Sequence, residues 1–336
     1  MYQTPMIEEV LPNLFRIEVP LPGSPLKSLN SYVIRGSDRN LVIDTGLNRK
    51  ECLRVMQTGL QELGVDLEMT DFFITHLHAD HLGLVPKLVR DTSKIYFNQP
   101  DAEIIEAWSG WQSMIDYAGM NGFPENELRV ALHGHPGYKY SPEWIPELSI
   151  LKDGDTISIG DYLFKCVETP GHTRGHTCLY EPATKSLVSG DHILNDITPN
   201  IQCWSDQGDP LKSYLASLDK VYELKVDLVL PGHRHPFRNH KERIQELKRH
   251  HQKRAGEIVL ILSKAPKNAF QVASEMSWDI SSESWEQFPA AQKWFATGEA
   301  IAHLRYLEER GMVVREPEEK MITFSLTGQF EGESKD

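Results

Sequence analysis

Three imidazoles and a carboxylate fall within His76-Leu77-His78-Ala79-Asp80-His81, just after the apolar run Phe72-Phe73-Ile74. Imidazole nitrogen and carboxylate oxygen are the donors that hold zinc and similar divalent ions. His76 and His78 can grip one ion, while Asp80 and His81 lie one step further round the same turn. That spacing suits two ions side by side with a hydroxide between them. The competing reading, a histidine-rich surface loop, loses weight because further ligand types follow downstream. His172 stands in Thr169-Pro170-Gly171-His172-Thr173, Asp191 in Ser189-Gly190-Asp191-His192, and His233 in Val229-Leu230-Pro231-Gly232-His233. Each follows a strand-like run, and the small residue before it lets the backbone bend sharply. Asp44, in Asp44-Thr45-Gly46, is read as orienting the ligand loop through hydrogen bonds rather than as a ligand.

The elements that position these residues read as strand-rich α/β over about the first 235 residues. Ser31–Arg35 and Asn40–Asp44 form paired strands around Gly36-Ser37-Asp38. Asn48–Leu63 has helical apolar spacing and Gly64 ends it. Asp71–Ile74 is a short buried strand that delivers the histidine cluster at its C-terminal end. Thr156–Ile159 and Tyr162–Val167 form a hairpin turning at Gly160-Asp161, and Leu179–Tyr180 and Ser186–Ser189 continue the sheet. Sites at strand ends suit α/β folds, where loops vary while the sheet stays rigid.

Taken together, HxHxDH, GHT, GD and GH in this order resemble the metallo-β-lactamase superfamily, specifically its glyoxalase II-like hydrolases, over residues 8 to 240. The resemblance implies a four-layer αβ/βα sandwich with the site at one edge. Carried over by position, it implies one metal on His76, His78, His172 and Asp191, and a second on Asp80, His81, His233 and Asp191, with Asp191 bridging. The implied cofactors are two divalent ions, zinc first, with iron and manganese also accepted by this donor set. The implied chemistry is hydrolysis by a metal-bridging hydroxide, with Asp80 as the catalytic residue that orients the nucleophile or carries its proton. Flavodiiron reductases of the superfamily usually carry glutamate at the position of His78, which favours hydrolysis over redox chemistry. True metallo-β-lactamases are usually exported and lack the combination of Asp80-His81 with a bridging Asp191.

Between about residues 100 and 146 lies an aromatic insertion with Trp108, Trp111, Met114, Tyr117, Met120, Phe123, Tyr138, Tyr140 and Trp144. Ala102–Gly119 reads as one helix whose apolar stripe packs on the body, with part of it a candidate lid over an acyl group. Trp204 is a further candidate pocket residue. His176, His192 and His235, close to the ligands, are candidate hydrogen-bonding supports or packing residues. His133 and His135 read as an ordinary loop, and His250 and His251 as solvated.

The C-terminal quarter reads as a separate module. The expected divisions are a catalytic domain over 1–237, a linker helix over 238–255, a small domain over 256–326 and a frayed tail over 327–336. Phe237–Arg254 holds seven Lys/Arg and two Asp/Glu, which suits a solvated helix. Ile258–Leu262, Ala269–Met276 and a helix from Pro289 to Arg310 follow, then a hairpin, Met312–Glu316 with Lys320–Phe324. Helices followed by a hairpin resemble the winged-helix domain found after some superfamily hydrolases. Charge argues against a DNA-binding role: residues 256–336 carry eight Lys/Arg against fourteen Asp/Glu, and the expected wing contains Glu316, Glu318 and Glu319. Packing, dimerisation or walling of the site is expected instead.

The net charge of −13 likewise disfavours broad nucleic-acid binding, which needs positive surface. The four cysteines (Cys52, Cys166, Cys178 and Cys203) show no CxxC spacing, in keeping with reduced thiols. With no apolar run long enough for a membrane and no basic-then-apolar N-terminus, a cytoplasmic protein without membrane association is expected. The leading function is hydrolysis of a small-molecule thioester, ester or lactone. A metal-dependent phosphodiesterase or ribonuclease is the alternative enzyme, and a winged-helix regulatory protein the alternative of another class. A homodimer is a candidate assembly.

Overall fold

The computed structural model describes residues 5–142, 145–279, 284–317 and 321–328. Trp144, Glu318, Glu319 and most of the expected tail, residues 329–336, lie outside the described residues. The chain forms two compact units, one of residues 1–108, 136–199 and 217–244, the other of 109–135, 200–216 and 245–336. The helices are Lys50–Glu62 (α1), Ala79–Leu82 (α2), Val85–Leu88 (α3), Gln99–Glu106 (α4), Gln112–Met120 (α5), Glu125–Gly134 (α6), Pro136–Tyr140 (α7), Pro210–Tyr222 (α8), His240–Leu262 (α9), Ala269–Glu275 (α10) and Ala290–Glu308 (α11). No described helix is long and apolar enough to cross a membrane.

The first unit is an α/β sandwich. Met6–Leu11 (β1), Leu14–Pro20 (β2), Ser28–Ile34 (β3), Asn40–Ile43 (β4), Thr70–Phe73 (β5), Ile95–Asn98 (β6) and Ser149–Leu151 (β7) form one sheet in chain order. β1 to β4 pair antiparallel, and β4 to β7 pair parallel. The second sheet holds Thr156–Ile159 (β8), Tyr162–Glu168 (β9), Thr177–Glu181 (β10), Ser186–Gly190 (β11) and Leu228–Pro231 (β12), with only β11 and β12 parallel. Side chains alternate between faces along a strand. Tyr32, Ile34, Ile43 and Phe73 therefore meet Phe164, Cys166, Leu179, Val188 and Leu230 between the sheets. Their neighbours Val33, Val42 and Phe72 point the other way, onto Val55, Met56 and Leu60 of α1. The later part of α8 lies against the second sheet, where Ser217 Oγ donates to the Pro170 carbonyl and Lys220 Nζ to that of Glu168. Both faces of β4 and β5 are thus covered, which is why Leu41–Ile43 and Phe72–Ile74 read as unbroken apolar runs.

The second unit gathers α5, α6, α10, α11 and the antiparallel hairpin Val313–Pro317 (β13) with Ile322–Leu326 (β14). Ala118, Phe123, Leu128, Ala131 and Trp294 form its core, with Met114, Ile115, Phe270 and Phe295 packed around them. Residues 109–135 of the aromatic insertion belong here, and so does Trp204, which stacks on Trp294 at 4.1 Å.

Local structure corrects four sequence expectations. Ala102–Gly119 falls across two helices, α4 and α5, separated by residues 107–111, where Gly110 adopts φ +105°. His133 lies in α6 and His135 is its C-terminal cap, packed on Trp111 and Phe295 rather than in an open loop. Ile258–Leu262 is the end of α9. His251 is buried, with Nδ1 3.1 Å from Nε2 of His303, because Leu247, His251, Arg254, Ile258 and Ile261 make a narrow inward stripe on an otherwise charged helix.

Candidate metal centre

Every group of the site sits where a strand ends. Asp44 follows β4, the His76–His81 segment follows β5 and opens α2, His172 follows β9, Asp191 follows β11 and His233 follows β12. All seven residues singled out in sequence come together. His76, His78 and His172 form one group, Asp80, His81 and His233 another, and His76, His81 and Asp191 a third that overlaps the first two; within each group the ligand atoms lie within 4.8 Å of one another. His76, His81, Asp191 and His233 are buried, while His78, Asp80 and His172 are half-buried and form the open edge.

Hydrogen bonds around the ring fix which nitrogen of His76, His81 and His233 faces inward. His81 Nδ1 is 2.8 Å from Asp44 Oδ2, and His233 Nδ1 is 2.7 Å from the Ser28 carbonyl, so both carry a proton on Nδ1 and present Nε2. Thr75 Oγ1 donates to Asp44 and lies 2.9 Å from His76 Nδ1, which turns His76 Nε2 inward as well. Asp44 has φ +57° and also accepts the Thr75 N–H, so it orients the loop without joining the ligand groups. His176 is buried; its Nε2 accepts the Asp191 N–H at 3.0 Å, leaving Nδ1–H for Thr169 Oγ1 at 2.8 Å. His192 is buried too, whereas His235 is exposed.

The inward atoms fit divalent cations. Donors bound at about 2.0–2.1 Å around a tetrahedral ion lie about 3.3–3.4 Å apart. Asp191 Oδ2 is 3.5 Å from His172 Nε2 and 3.4 Å from His233 Nε2, and Oδ1 is 3.6 Å from His81 Nε2. His233 Nε2 is also 3.4 Å from Asp80 Oδ2. His78 Nδ1 lies 3.0 Å from both His76 Nε2 and His172 Nε2, a cluster of lone pairs that a shared cation resolves. His81 Nε2, His233 Nε2 and Asp191 Oδ1 are buried without a hydrogen-bond partner among the described residues. Such orphaned polar atoms call for a ligand.

Electrostatics divides the site. Burial, reinforced by the neighbouring imidazoles, holds His76 well below the usual histidine range and His78 down at about 3. Burial also opposes charge on His233, but Asp191 and Asp80 outweigh it and hold that imidazole up at about 10. Asp44 and Asp191 likewise outweigh burial at His81 and raise it. Asp191 is pushed up by burial and pulled down further by His233 and His81, so it stays a carboxylate. One half therefore offers neutral nitrogen donors and the other a carboxylate-rich pocket.

Close packing leaves no room for a side chain at Gly232. A Cβ on Gly232 would stand 2.6 Å from Asp191 Oδ1 and 3.0 Å from His81 Cε1. One residue of the site went unread in sequence. Asp101, in the first turn of α4, is fully buried and accepts from Leu77 N–H, Thr173 Oγ1 and Gly175 N–H. Burial pushes its carboxyl up to about 6 against those donors. The available signal was Asn98-Gln99-Pro100-Asp101, a helix start with an Asn cap, an early Pro and an acid in the first turn.

Two family models match parts of the chain, and several known proteins are similar to it. Residues 26–233 match the model of the Metallo-beta-lactamase superfamily, and residues 257–327 match that of the Metallo-beta-lactamase-like, C-terminal domain. A probable metallo-hydrolase of Bacillus subtilis is 26% identical over 315 residues, covering 88% of this chain and 92% of that one. An acyl-coenzyme A thioesterase of Homo sapiens is 26% identical over 219 residues, 62% of this chain and 74% of that one. A crystal structure of a metallo-beta-lactamase family protein from Thermus thermophilus superposes with a TM-score of 0.79 at 26% identity, covering 95% of this chain and 100% of that one.

Proposed function

Because the chain belongs to the metallo-beta-lactamase superfamily, we propose that it is a dinuclear metal-dependent hydrolase of thioesters, esters or lactones, with thioesters foremost. The observation that carries the reading is the position of Asp191, whose carboxylate reaches His172 on one side and His81 and His233 on the other. His76, His78, His172 and Asp191 would hold one ion, and Asp80, His81, His233 and Asp191 the other. Zinc suits this nitrogen and oxygen set, as do iron and manganese. Two such ions would lower the pKa of water and polarise a carbonyl oxygen. The chain's own residues supply the rest. Asp44 and Ser28 keep His81 and His233 in one tautomer. Asp80, at the half-buried edge, can orient the attacking water and carry its proton. No serine or cysteine nucleophile is needed.

The thioester preference draws on the human relative named as an acyl-coenzyme A thioesterase. We further read α10, α11 and the β13–β14 hairpin, with the end of α9, as a winged-helix arrangement used for packing or self-association, given its acidic balance. The test of the enzyme reading is thiol release from a medium-chain acyl-CoA by metal-loaded protein, with Asp80→Ala as the blank. Turnover that vanishes in the variant supports it. Absence of turnover with two metals bound refutes the thioester version and transfers attention to lactones and phosphodiesters.

A further inference from the structure

We propose that Asp101 is a positioning residue that clamps the His76–His78 loop to the His172 loop and so sets the metal affinity of the first position. The inference rests on the dinuclear reading above. Leu77, between His76 and His78, donates its N–H to Asp101 Oδ2 at 3.0 Å. Thr173, directly after His172, donates its hydroxyl to the same oxygen at 2.8 Å. Gly175 N–H reaches Oδ1 at 2.7 Å. One side chain therefore ties together the two loops whose imidazoles meet at His78 Nδ1, 3.0 Å from His172 Nε2.

The clamp is itself held rigidly. Asn98 caps α4 by accepting the Asp101 N–H at 2.9 Å, so the carboxylate projects from the first turn of an anchored helix. The loop after His172 is pressed onto that cap, since a Cβ on Gly175 would fall 1.5 Å from Asn98 Oδ1 and 2.7 Å from Asp101 N. Three donors converge on two oxygens that are both acceptors. An amide offers one acceptor, and its NH2 would face at least one of those donors. A buried acid used only to satisfy local backbone would not need to hold a hydroxyl 72 positions away beside a ligand. The second group, Asp80, His81 and His233, makes no hydrogen bond to Asp101 among the described residues.

The experiment is zinc affinity by competition with a graded chelator, in backgrounds that isolate each position. In His233→Ala, which leaves the first position, adding Asp101→Asn is expected to weaken zinc binding about 10- to 100-fold, the effect typical of residues that orient ligands. In His172→Ala, which leaves the second, the same change is expected to alter affinity less than about threefold. Equal weakening in both backgrounds, or unchanged affinity with only a lower Tm, overturns the proposal. The near-isosteric Asn limits loss of fold, and circular dichroism of each metal-free variant checks it. If the unmutated chain binds a single equivalent, the dinuclear reading fails on that result alone. Asp101→Asn in the unmutated chain then decides the clamp separately, an unchanged affinity overturning it.

Discussion

Removing the Asp191 carboxylate should disable both metal positions at once, which no other single ligand change should do. Its oxygens lie 3.4–3.6 Å from His81, His172 and His233, the spacing of donors on shared ions. Replacing a residue that merely supports a ligand weakens metal binding by about 10- to 100-fold. A direct ligand should cost at least that much at each position, or about 3 kcal/mol per ion at the upper figure. Asp191→Ala should therefore hold fewer than one zinc equivalent at free zinc levels that saturate the unmutated chain with two. His172→Ala, which touches one group of donors, should keep about one equivalent. The assay is elemental analysis after equilibrium against buffered zinc, paired with the hydrolysis rate and far-ultraviolet circular dichroism. Asp191→Asn keeps the shape and the backbone link to His176 while removing the charge, so it should fall between the two. Two tightly held equivalents in Asp191→Ala, with activity kept, would refute the bridging assignment.

Gly232→Ala should lower kcat/KM by well over tenfold with secondary structure intact, because its Cβ would displace the Asp191 carboxylate from 2.6 Å; wild-type rates would show that the loop yields freely. Glu299 gives a prediction in pH. Burial pushes its carboxyl up to about 7, against Arg254 and Asn200. The folded chain then holds a proton that the unfolded chain releases above about pH 4.5, so stability should fall as pH rises from there to about 7 and level off beyond. Glu299→Gln should flatten that slope, a change of up to about 3 kcal/mol at one unit per 1.36 kcal/mol, read by chemical denaturation at several pH values. Parallel pH profiles for the two proteins would refute the buried-acid argument. The acyl-CoA assay and the Asp101→Asn comparison complete the set.

The site was legible because its chemistry is written locally. Each imidazole or carboxylate lies within a few residues of a strand-like run, so the run Phe72–Ile74 and the residues Thr75–His81 announce position and donor type together. The β3–β4 and β8–β9 pairs were legible for a similar reason, since turns such as Gly160-Asp161 act within a few residues. What sequence hid depends on contacts between distant segments. Asp101 acquires its role from Leu77, Thr173 and Gly175, which lie 24, 72 and 74 positions away, and nothing in its own helix start says that the carboxylate will face them. His251 is flanked by charge on both sides, and only the stripe from Leu247 to Ile261, completed by His303, takes it out of water. The insertion shows the same limit. Its apolar spacing implied one packed stripe, but Ile105 packs in the core of the first unit, Ile115 packs with Trp294 in the second, and Trp108 is exposed. Local pattern thus identifies the groups that can do chemistry, whereas the residues that hold those groups to within a few tenths of an ångström are set by tertiary structure. Asp101 is where that difference can be measured, because altering it leaves every proposed ligand in place.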